Sequence, residues 1–305
     1  MSGVQSLSRI ALVSREPKRL AAFYQSAFGV TPCDETRMAG PPLASLLGSA
    51  GVEARLQALR LGAQTIEILS IQPEGVAYPA DVPAWSNLFQ HFAIVVSSMP
   101  PAYARLTAHK GWTPISMAGP QVLPASSGGV TAFKFRDPEG HPLELLAFPP
   151  EAVPERWREP RANGFLGIDH SAITIADTPR SREFYWRLGL QRSGGSYNTG
   201  PAQNRLDGAL DTAVEVTALA PAEVPPHVEL LCYRKVAGRN TKHPGSNDVA
   251  ATELVLSAGS AAALDTLCVE NADALVSGPV TFEDGRVRAM MRDPDGHLLR
   301  LEAPL

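Results

Sequence analysis

Residues 168–190 read IDHSAITIADTPRSREFYWRLGL, and residues 7–30 read LSRIALVSREPKRLAAFYQSAFGV. In both stretches an alternating apolar run passes through a Pro-containing loop into a segment that carries Phe-Tyr and ends at glycine. The alternation predicts a strand, and the Phe-Tyr segment predicts a helix that the glycine ends. His170 and Arg9 each lie 14 residues before the Phe of their helix, so they take equivalent positions in an internal repeat.

A second repeat closes each half of the chain. The stretch KFRDPEGHPLELL over 134–146 matches MMRDPDGHLLRLE over 290–302. Asp-Pro-acid-Gly is turn chemistry, because Pro sets one backbone angle and Gly accepts a positive φ. The flanking alternation of apolar residues makes each stretch a predicted β-hairpin. Segments 90–106 and 249–267 again have the pattern of a strand, a loop and a helix.

These matches predict an α+β fold of four βαβββ modules, in two halves related by a period of about 155–160 residues. Each module begins with a strand, crosses through an amphipathic helix and ends with three strands. Pro-rich linkers separate the modules. The predicted bounds are 5–72 and 88–149 in a first half of 1–150, and 165–235 and 248–304 in a second half of 151–305.

The composition excludes several classes of protein. Of the 305 residues 44% are hydrophobic and 19% charged, and the net charge is −4, so nucleic acid and acidic membrane surfaces are not expected partners. The three cysteines, Cys33, Cys232 and Cys268, are widely spaced and have no disulfide or metal pattern, so we interpret them as structural. Without a signal-peptide pattern or a long apolar run, we expect a cytoplasmic monomer or homodimer that acts on a small molecule.

The chain resembles the vicinal oxygen chelate superfamily. The resemblance is carried by the openings DHSAITIADTPRSREFYWRLGL and QHFAIVV and by the closings RDPEGHPLELL and RDPDGHLLRL. That superfamily includes glyoxalase I, extradiol ring-cleavage dioxygenases, and fosfomycin and bleomycin resistance proteins. The resemblance implies that modules pair into curved, cup-like mixed sheets, two in this chain, with the helices outside. It also implies a metal-ligand position on the first and last strand of each module.

Carried over residue by residue, the resemblance gives a complete set of metal ligands only in the two central modules. Arginine departs from the pattern because a guanidinium is always charged and cannot bind a metal ion. The positions are Arg9 and Glu67 in module one, His91 and Glu144 in module two, His170 and Glu229 in module three, and Ala251 or Thr252 with Arg300 in module four.

Two pairings of the modules are possible. Pairing neighbours would place an arginine beside the ligands in both cups. Pairing two with three, and one with four, collects two imidazoles and two carboxylates, which balance one divalent ion and leave two octahedral positions for water or substrate. We favour this second pairing. The other cup would then hold Arg9, Glu67 and Arg300 without a metal, either as a salt-bridged remnant or as an anion site.

The remaining histidines have structural interpretations. His227 lies two residues before Glu229 and shares its strand face, so it could act as a substitute ligand or support one, but we expect an exposed histidine at a strand end. His141 and His297 follow turn glycines, so they are predicted to be ordinary hairpin residues. The Phe-Tyr pairs of the helices are predicted to pack on the sheet.

The resemblance implies a glyoxalase-like lyase or isomerase that works through an enediolate-type intermediate. His91, Glu144, His170 and Glu229 would hold one divalent ion (Ni²⁺, Zn²⁺, Co²⁺, Mn²⁺ or Fe²⁺), and Glu144 or Glu229 would transfer the proton. One alternative is an Fe(II) extradiol dioxygenase, although its triad would fall in modules three and four, on His170, Ala251 or Thr252, and Arg300. Another is a protein that binds a drug or metabolite without turnover.

Overall fold

A computed structural model of the chain describes residues 3–235 and 243–305. It confirms the four βαβββ modules, whose strands run from Val4 to Gln72, from Gln90 to Ala147, from Phe165 to Tyr233 and from Glu253 to Pro304. Residues 236–242 of the predicted linker at 235–248 lie outside the described residues. None of the described helices has the length and apolar character needed to cross a bilayer.

The first half of the chain contains modules one and two. A short helix between the second and third strands of module one was not predicted, and the second strand of module two is reduced to two-residue pieces. The elements of module one are β1 (Val4–Val13), α1 (Pro17–Phe28), β2 (Thr31–Ala39), α2 (Pro41–Leu47), β3 (Glu53–Leu61) and β4 (Gln64–Gln72). Those of module two are β5 (Gln90–Val96), α3 (Met99–Thr107), β6 (Thr113–Pro114), β7 (Gln121–Val122), β8 (Thr131–Arg136) and β9 (Pro142–Ala147).

The second half repeats this order in modules three and four. Module three again has a short helix after its second strand, which supports its equivalence to module one. Its elements are β10 (Phe165–Thr174), α4 (Thr178–Arg187), β11 (Gln191–Thr199), α5 (Pro201–Leu206), β12 (Ala213–Ala220) and β13 (His227–Tyr233). Module four consists of β14 (Glu253–Ala258), α6 (Ala261–Glu270), β15 (Leu275–Thr281), β16 (Arg286–Arg292) and β17 (Leu298–Pro304).

The strands form two mixed sheets, and each sheet takes one module from each half. Sheet A has the order β15-β16-β17-β14-β1-β4-β3-β2, which joins module four to module one. Sheet B has the order β11-β12-β13-β10-β5-β9-β8-β6, which joins module three to module two. The predicted pairing of two with three, and of one with four, is therefore confirmed.

Each sheet has one face toward helices and one face toward its own cup. In sheet B, Phe92, Ile94 and Leu145 point to the helix face, while alternate residues such as Glu144 point into the cup. The helix-face cores follow the halves of the chain. One core joins α1 and α3 with strands of modules one and two, and another joins α4 and α6 with strands of modules three and four. The two modules of each half thus share a helix-side core, whereas each sheet combines strands from both halves.

A buried hydrogen-bond network at each Asp-Pro-acid-Gly turn connects the two sheets. In the first half, Tyr24 Oη donates to Asp137 Oδ2 at 3.1 Å, and His141 contacts Asp137 Oδ2 through Nδ1 and Val13 O through Nε2. In the second half, Tyr185 Oη donates to Asp293 at 3.1 Å. These turn networks hold a hairpin of one sheet against the helix and first strand of the other.

His141 and His297 are structural residues of the two hairpins, as predicted, but their burial and their contacts with the other sheet were not predicted. Both are buried, and His297 Nε2 lies 2.8 Å from the carbonyl oxygen of Thr174 in the other sheet. The turn chemistry was visible in the sequence, but the contacts of the two imidazoles with the other sheet lie more than a hundred residues away along the chain, so local patterns could not indicate them.

Replacing Tyr24 with Phe tests the first turn network, because it removes the donor to Asp137 and keeps the aromatic ring. We expect the free energy of unfolding to fall by about 1–3 kcal/mol, since a buried carboxylate loses a hydrogen bond. Urea denaturation followed by circular dichroism measures this change. Tyr103→Phe is the control, because the ring of Tyr103 packs on Phe133 and its hydroxyl donates to no described residue. An equal loss in both variants would contradict the role of the network.

Candidate metal centre

The four predicted ligands lie on four neighbouring strands at the middle of sheet B. His170 is on β10, His91 on β5, Glu229 on β13 and Glu144 on β9. β10 and β5 are antiparallel, with Ala172 opposite His91, and each runs parallel to the last strand of its own module. Since alternate residues of a strand share a face, this register points all four side chains into one cup.

Three of the four ligands form a tight group. The ligand atoms of His91, Glu144 and His170 lie within 4.8 Å of one another, and all three residues are buried. His91 Nε2 lies 2.8 Å from Glu144 Oε2. Glu229 lies at the margin of this group, with its Oε2 3.6 Å from His170 Nε2 and its side chain 22% exposed. The cup therefore brings together two imidazoles and one carboxylate, with a second carboxylate beside them.

Asp169 is a site residue that the sequence analysis did not identify. A register shift between Ile168 and His170 interrupts the alternation of β10, and Asp169 Oδ2 lies 3.2 Å from His170 Nδ1. Trp157 Nε1 donates to the other carboxylate oxygen at 3.1 Å. An acceptor at Nδ1 favours the tautomer that leaves the Nε2 lone pair of His170 directed at the ligand group.

His227 also belongs to the site, so the expectation of an exposed histidine was wrong. Its side chain is 14% exposed, with Nε2 3.5 Å from Glu229 Oε1 and Nδ1 3.8 Å from Asp169 Oδ2. The shared strand face with Glu229 was the correct signal. The burial comes from β10, because His227 lies directly beside His170 in the parallel register of the two strands.

The two ligand imidazoles differ in charge. Burial, together with the positive charges of Lys134 and His170, lowers the pKa of His91 below its ordinary value, although the hydrogen bond with Glu144 opposes this. Burial also disfavours charge on His170, but Glu229, Asp169 and Glu144 outweigh it and raise the pKa of His170 to about 9. At neutral pH His91 is therefore uncharged, whereas His170 is protonated on both ring nitrogens and positively charged.

The carboxylates of the cup are ionised. Burial alone would raise the pKa of Glu229, but the charge of His170 and the hydrogen bond from His227 lower it to about 2. Burial likewise opposes charge on Glu144, and the hydrogen bond from His91 together with the ammonium of Lys134 lowers the pKa of Glu144. Lys134 is a further residue missed from the sequence, although a symmetric hairpin places it opposite Glu144.

The equivalent cup of sheet A contains an ion-pair cluster, defined by Arg9, Glu67, Glu253, Arg300 and Glu302. Arg9 pairs with Glu67 and Glu302, and Arg300 pairs with Glu67 and, at 3.4 Å, with Glu253. Each guanidinium is thus bound by two carboxylates, which supports the interpretation of a salt-bridged remnant over that of an anion site.

The first-strand position of module four was misplaced. Ala11 lies opposite Glu253 in sheet A, as Ala172 lies opposite His91 in sheet B. The equivalent of His91 is therefore Glu253, and neither Ala251 nor Thr252. The register of the apolar run at 249–258 depends on its pairing with β1, far away in the sequence.

Comparison with solved structures identifies the fold. Glyoxalase I from Zea mays superposes with a TM-score of 0.61 at 14% identity, over 98% of this chain and 92% of that one. A proposed dioxygenase from Bacillus subtilis gives a TM-score of 0.61 at 14% identity, over 99% of this chain and 86% of that one. This chain has the vicinal oxygen chelate fold. No family model and no curated protein matches its sequence.

Within the vicinal oxygen chelate fold, the residues of the sheet B cup fit a divalent metal ion. The donors are imidazole nitrogens and carboxylate oxygens, the mixture that first-row divalent ions accept. Around His170 the three carboxylates of Glu144, Asp169 and Glu229 give an excess of buried negative charge, which a cation would offset. In the cluster of sheet A, arginines occupy two of the four equivalent positions, and a guanidinium cannot bind a metal ion.

Zinc titration of the metal-free protein tests this centre. We expect about one equivalent to bind per chain near pH 7 and about one proton to be released, because His170 must lose its proton to become a ligand whereas His91 is already neutral. Calorimetry in buffers of different ionisation enthalpy measures the proton count.

The same titration has a predicted pH dependence. As the pH rises to 9, the pKa of His170, the proton release should fall to about half and then disappear at higher pH, while the apparent zinc affinity increases. His91→Ala should abolish binding, and Glu223→Gln, an exposed change elsewhere, should leave it unaltered. Zinc binding near neutral pH without proton release would contradict the assignment of charge to His170.

Proposed function

We propose that this protein is a metal-dependent lyase or isomerase of the glyoxalase kind, acting on a small substrate with two neighbouring oxygens. The observation that carries the proposal is the buried group of His91, Glu144 and His170 with a further carboxylate, Glu229, at its margin. Such a set can hold an ion and still leave one carboxylate near the substrate for proton transfer.

The division of labour between the two glutamates follows from their surroundings. The side chain of Glu144 is 8% exposed and lies in hydrogen-bond contact with His91, so its role is to hold the ion. The side chain of Glu229 is 22% exposed and faces the cavity, so it can reach a substrate carbon. When bound, the ion supplies Lewis-acid polarisation of the substrate oxygens, which acidifies the adjacent C–H.

Glu229 would then take the proton from the carbon that bears the hydroxyl and return it to the neighbouring carbonyl carbon. The hydroxyl proton would pass to the former carbonyl oxygen, which leaves the substrate isomerised and Glu229 unchanged. The cavity at the site has a volume of about 170 Å³, and its walls include Leu146, Leu206 and Leu231.

Replacing Glu229 with Gln tests its role. We expect the rate of hydrogen–deuterium exchange at the carbon acid of hydroxyacetone to fall by about 10²–10⁴-fold, because a general base has been removed. Exchange is followed by proton NMR in D₂O, with protein loaded with Ni²⁺, Zn²⁺, Co²⁺ or Mn²⁺. Zinc stoichiometry should be retained, since the other three ligands remain.

Glu144→Gln provides the contrast. This variant should lose most of its zinc affinity, since Glu144 belongs to the tight ligand group, and it should lose exchange as a consequence. Glu223→Gln serves again as the surface control. Exchange at the wild-type rate in both Glu144→Gln and Glu229→Gln would refute the proposed function.

An Fe(II) extradiol-type dioxygenase is the second candidate. A group of two histidines and one carboxylate, with Glu229 outside it, matches the ligand pattern of Fe(II) oxygenases. The triad expected in modules three and four is not assembled, because His170 lies in sheet B and Arg300 in sheet A. The candidate therefore rests on His91, Glu144 and His170.

Oxygen consumption separates the two candidates. Protein loaded with Fe(II) under anaerobic conditions is mixed with catechol, and oxygen is then admitted in an electrode cell. A lyase or isomerase should consume no oxygen above the rate of the His91→Ala variant. Rapid consumption that persists in Glu229→Gln would instead favour the dioxygenase.

A further inference from the structure

The wall of the sheet B cavity beside Glu144 carries a buried cation that the proposed reaction does not use. Lys134, on β8, is the cross-strand partner of Glu144, so both side chains point into the cup. Lys134 is 4% exposed, and its Nζ donates to Asp207 Oδ1 at 2.7 Å. The residue belongs to module two and its partner to module three.

Asp207 also fixes the orientation of a neighbouring amide. Gln203, one turn earlier at α5, donates through Nε2 to Asp207 Oδ2 at 2.8 Å. The amide nitrogen is thereby turned toward Asp207, and Gln203 Oε1 is a buried acceptor with no hydrogen-bond partner among the described residues. Both Gln203 and Lys134 line the cavity.

Two kinds of unused hydrogen-bonding capacity therefore face the cavity. An ammonium has three N–H donors, and Lys134 uses one of them, on Asp207, within the described part of the chain. Gln203 adds one unused acceptor. An unsatisfied polar group is costly when buried, so Gln203 Oε1 beside the ammonium of Lys134 on one wall of a ligand cavity indicates a polar ligand group at that place.

The chemistry of this wall indicates a carboxylate. Among the described residues that line the cavity, Lys134 is the one lysine or arginine, which suits a monoanionic group better than a phosphate with two charges. Gln203 Oε1 can accept from a hydroxyl next to that group or from a water bound with it. The nearby apolar walls, which include Leu123, Leu146 and Leu206, suit a short carbon skeleton.

We infer that Lys134 and Gln203 form a carboxylate subsite, so the substrate is a small acid with its reacting oxygen pair at the other end. Only the placement of the substrate's reacting end at the metal centre rests on the proposed function. Lys134 is then a specificity-determining residue. A purely structural Lys134–Asp207 ion pair would stabilise the junction of modules two and three without selecting among ligands.

Paired probes test the subsite. 5-Hydroxy-4-oxopentanoate and its primary amide share the same hydroxyketone end and differ in the charge of the other end. Calorimetry with zinc-loaded protein should show the acid binding about tenfold or more tighter than the amide, as a charge-assisted hydrogen bond would give. Lys134→Met should abolish this preference, whereas Lys110→Met, an exposed control, should keep it.

Asp207→Asn gives an independent test with the opposite sign. It keeps the shape of the partner but removes the charge that competes for the ammonium, so the preference for the acid should increase severalfold. This variant also keeps the inference testable if Lys134→Met does not fold. A preference unchanged in Asp207→Asn would overturn the subsite.

The proposed function and the subsite fail in different ways. Zinc stoichiometry, measured before any probe is added, tests the metal centre by itself, and a chain that binds no zinc overturns the proposed function. Zinc-loaded protein that treats acid and amide alike, or that keeps its preference in Lys134→Met, overturns the subsite and leaves the metal centre intact.

Discussion

The site depends on one backbone constraint, the antiparallel junction of β10 and β5 at the centre of sheet B. In this register Ala172 lies opposite His91. The register shift just before His170 brings the carboxylate of Asp169 beside the imidazole of His170. Because side chains alternate along a strand, a slip of one residue would turn His91 into the helix-side core and separate it from His170. Glu144 and Glu229 then follow from the parallel pairing within their own modules.

The same junction exists in sheet A with different side chains. There Arg9, Glu67, Glu253 and Arg300 take the four equivalent positions, and Glu302 adds a fifth charge. Two guanidinium groups supply the positive charge that a metal ion would bring to the sheet B cup. One backbone geometry therefore supports a candidate metal centre in one cup and an ion-pair cluster in the other, because function resides in the side chains that a fold presents.

The connection between the halves explains why the central modules can share a cup. The helix-side cores and the turn networks hold modules one and two together, and likewise three and four, while the strands pair across the halves. Contacts such as Tyr24 with Asp137 and His297 with Thr174 join one sheet to the other. The cup of sheet B is thereby built from both halves and held in place by both cores.

The sequence by itself indicated the four modules, because repeats and alternation are local patterns. The ligand-type residues His91, Glu144, His170 and Glu229 were predicted from the resemblance to a known superfamily. The tertiary structure decided that Glu253 takes the fourth position of sheet A, that Asp169 and His227 approach His170, and that Lys134 meets Asp207. These depend on strand register and on contacts across a cup. Strand register and cross-cup contacts are both set by residues that are far apart in the sequence, so no local pattern predicts them.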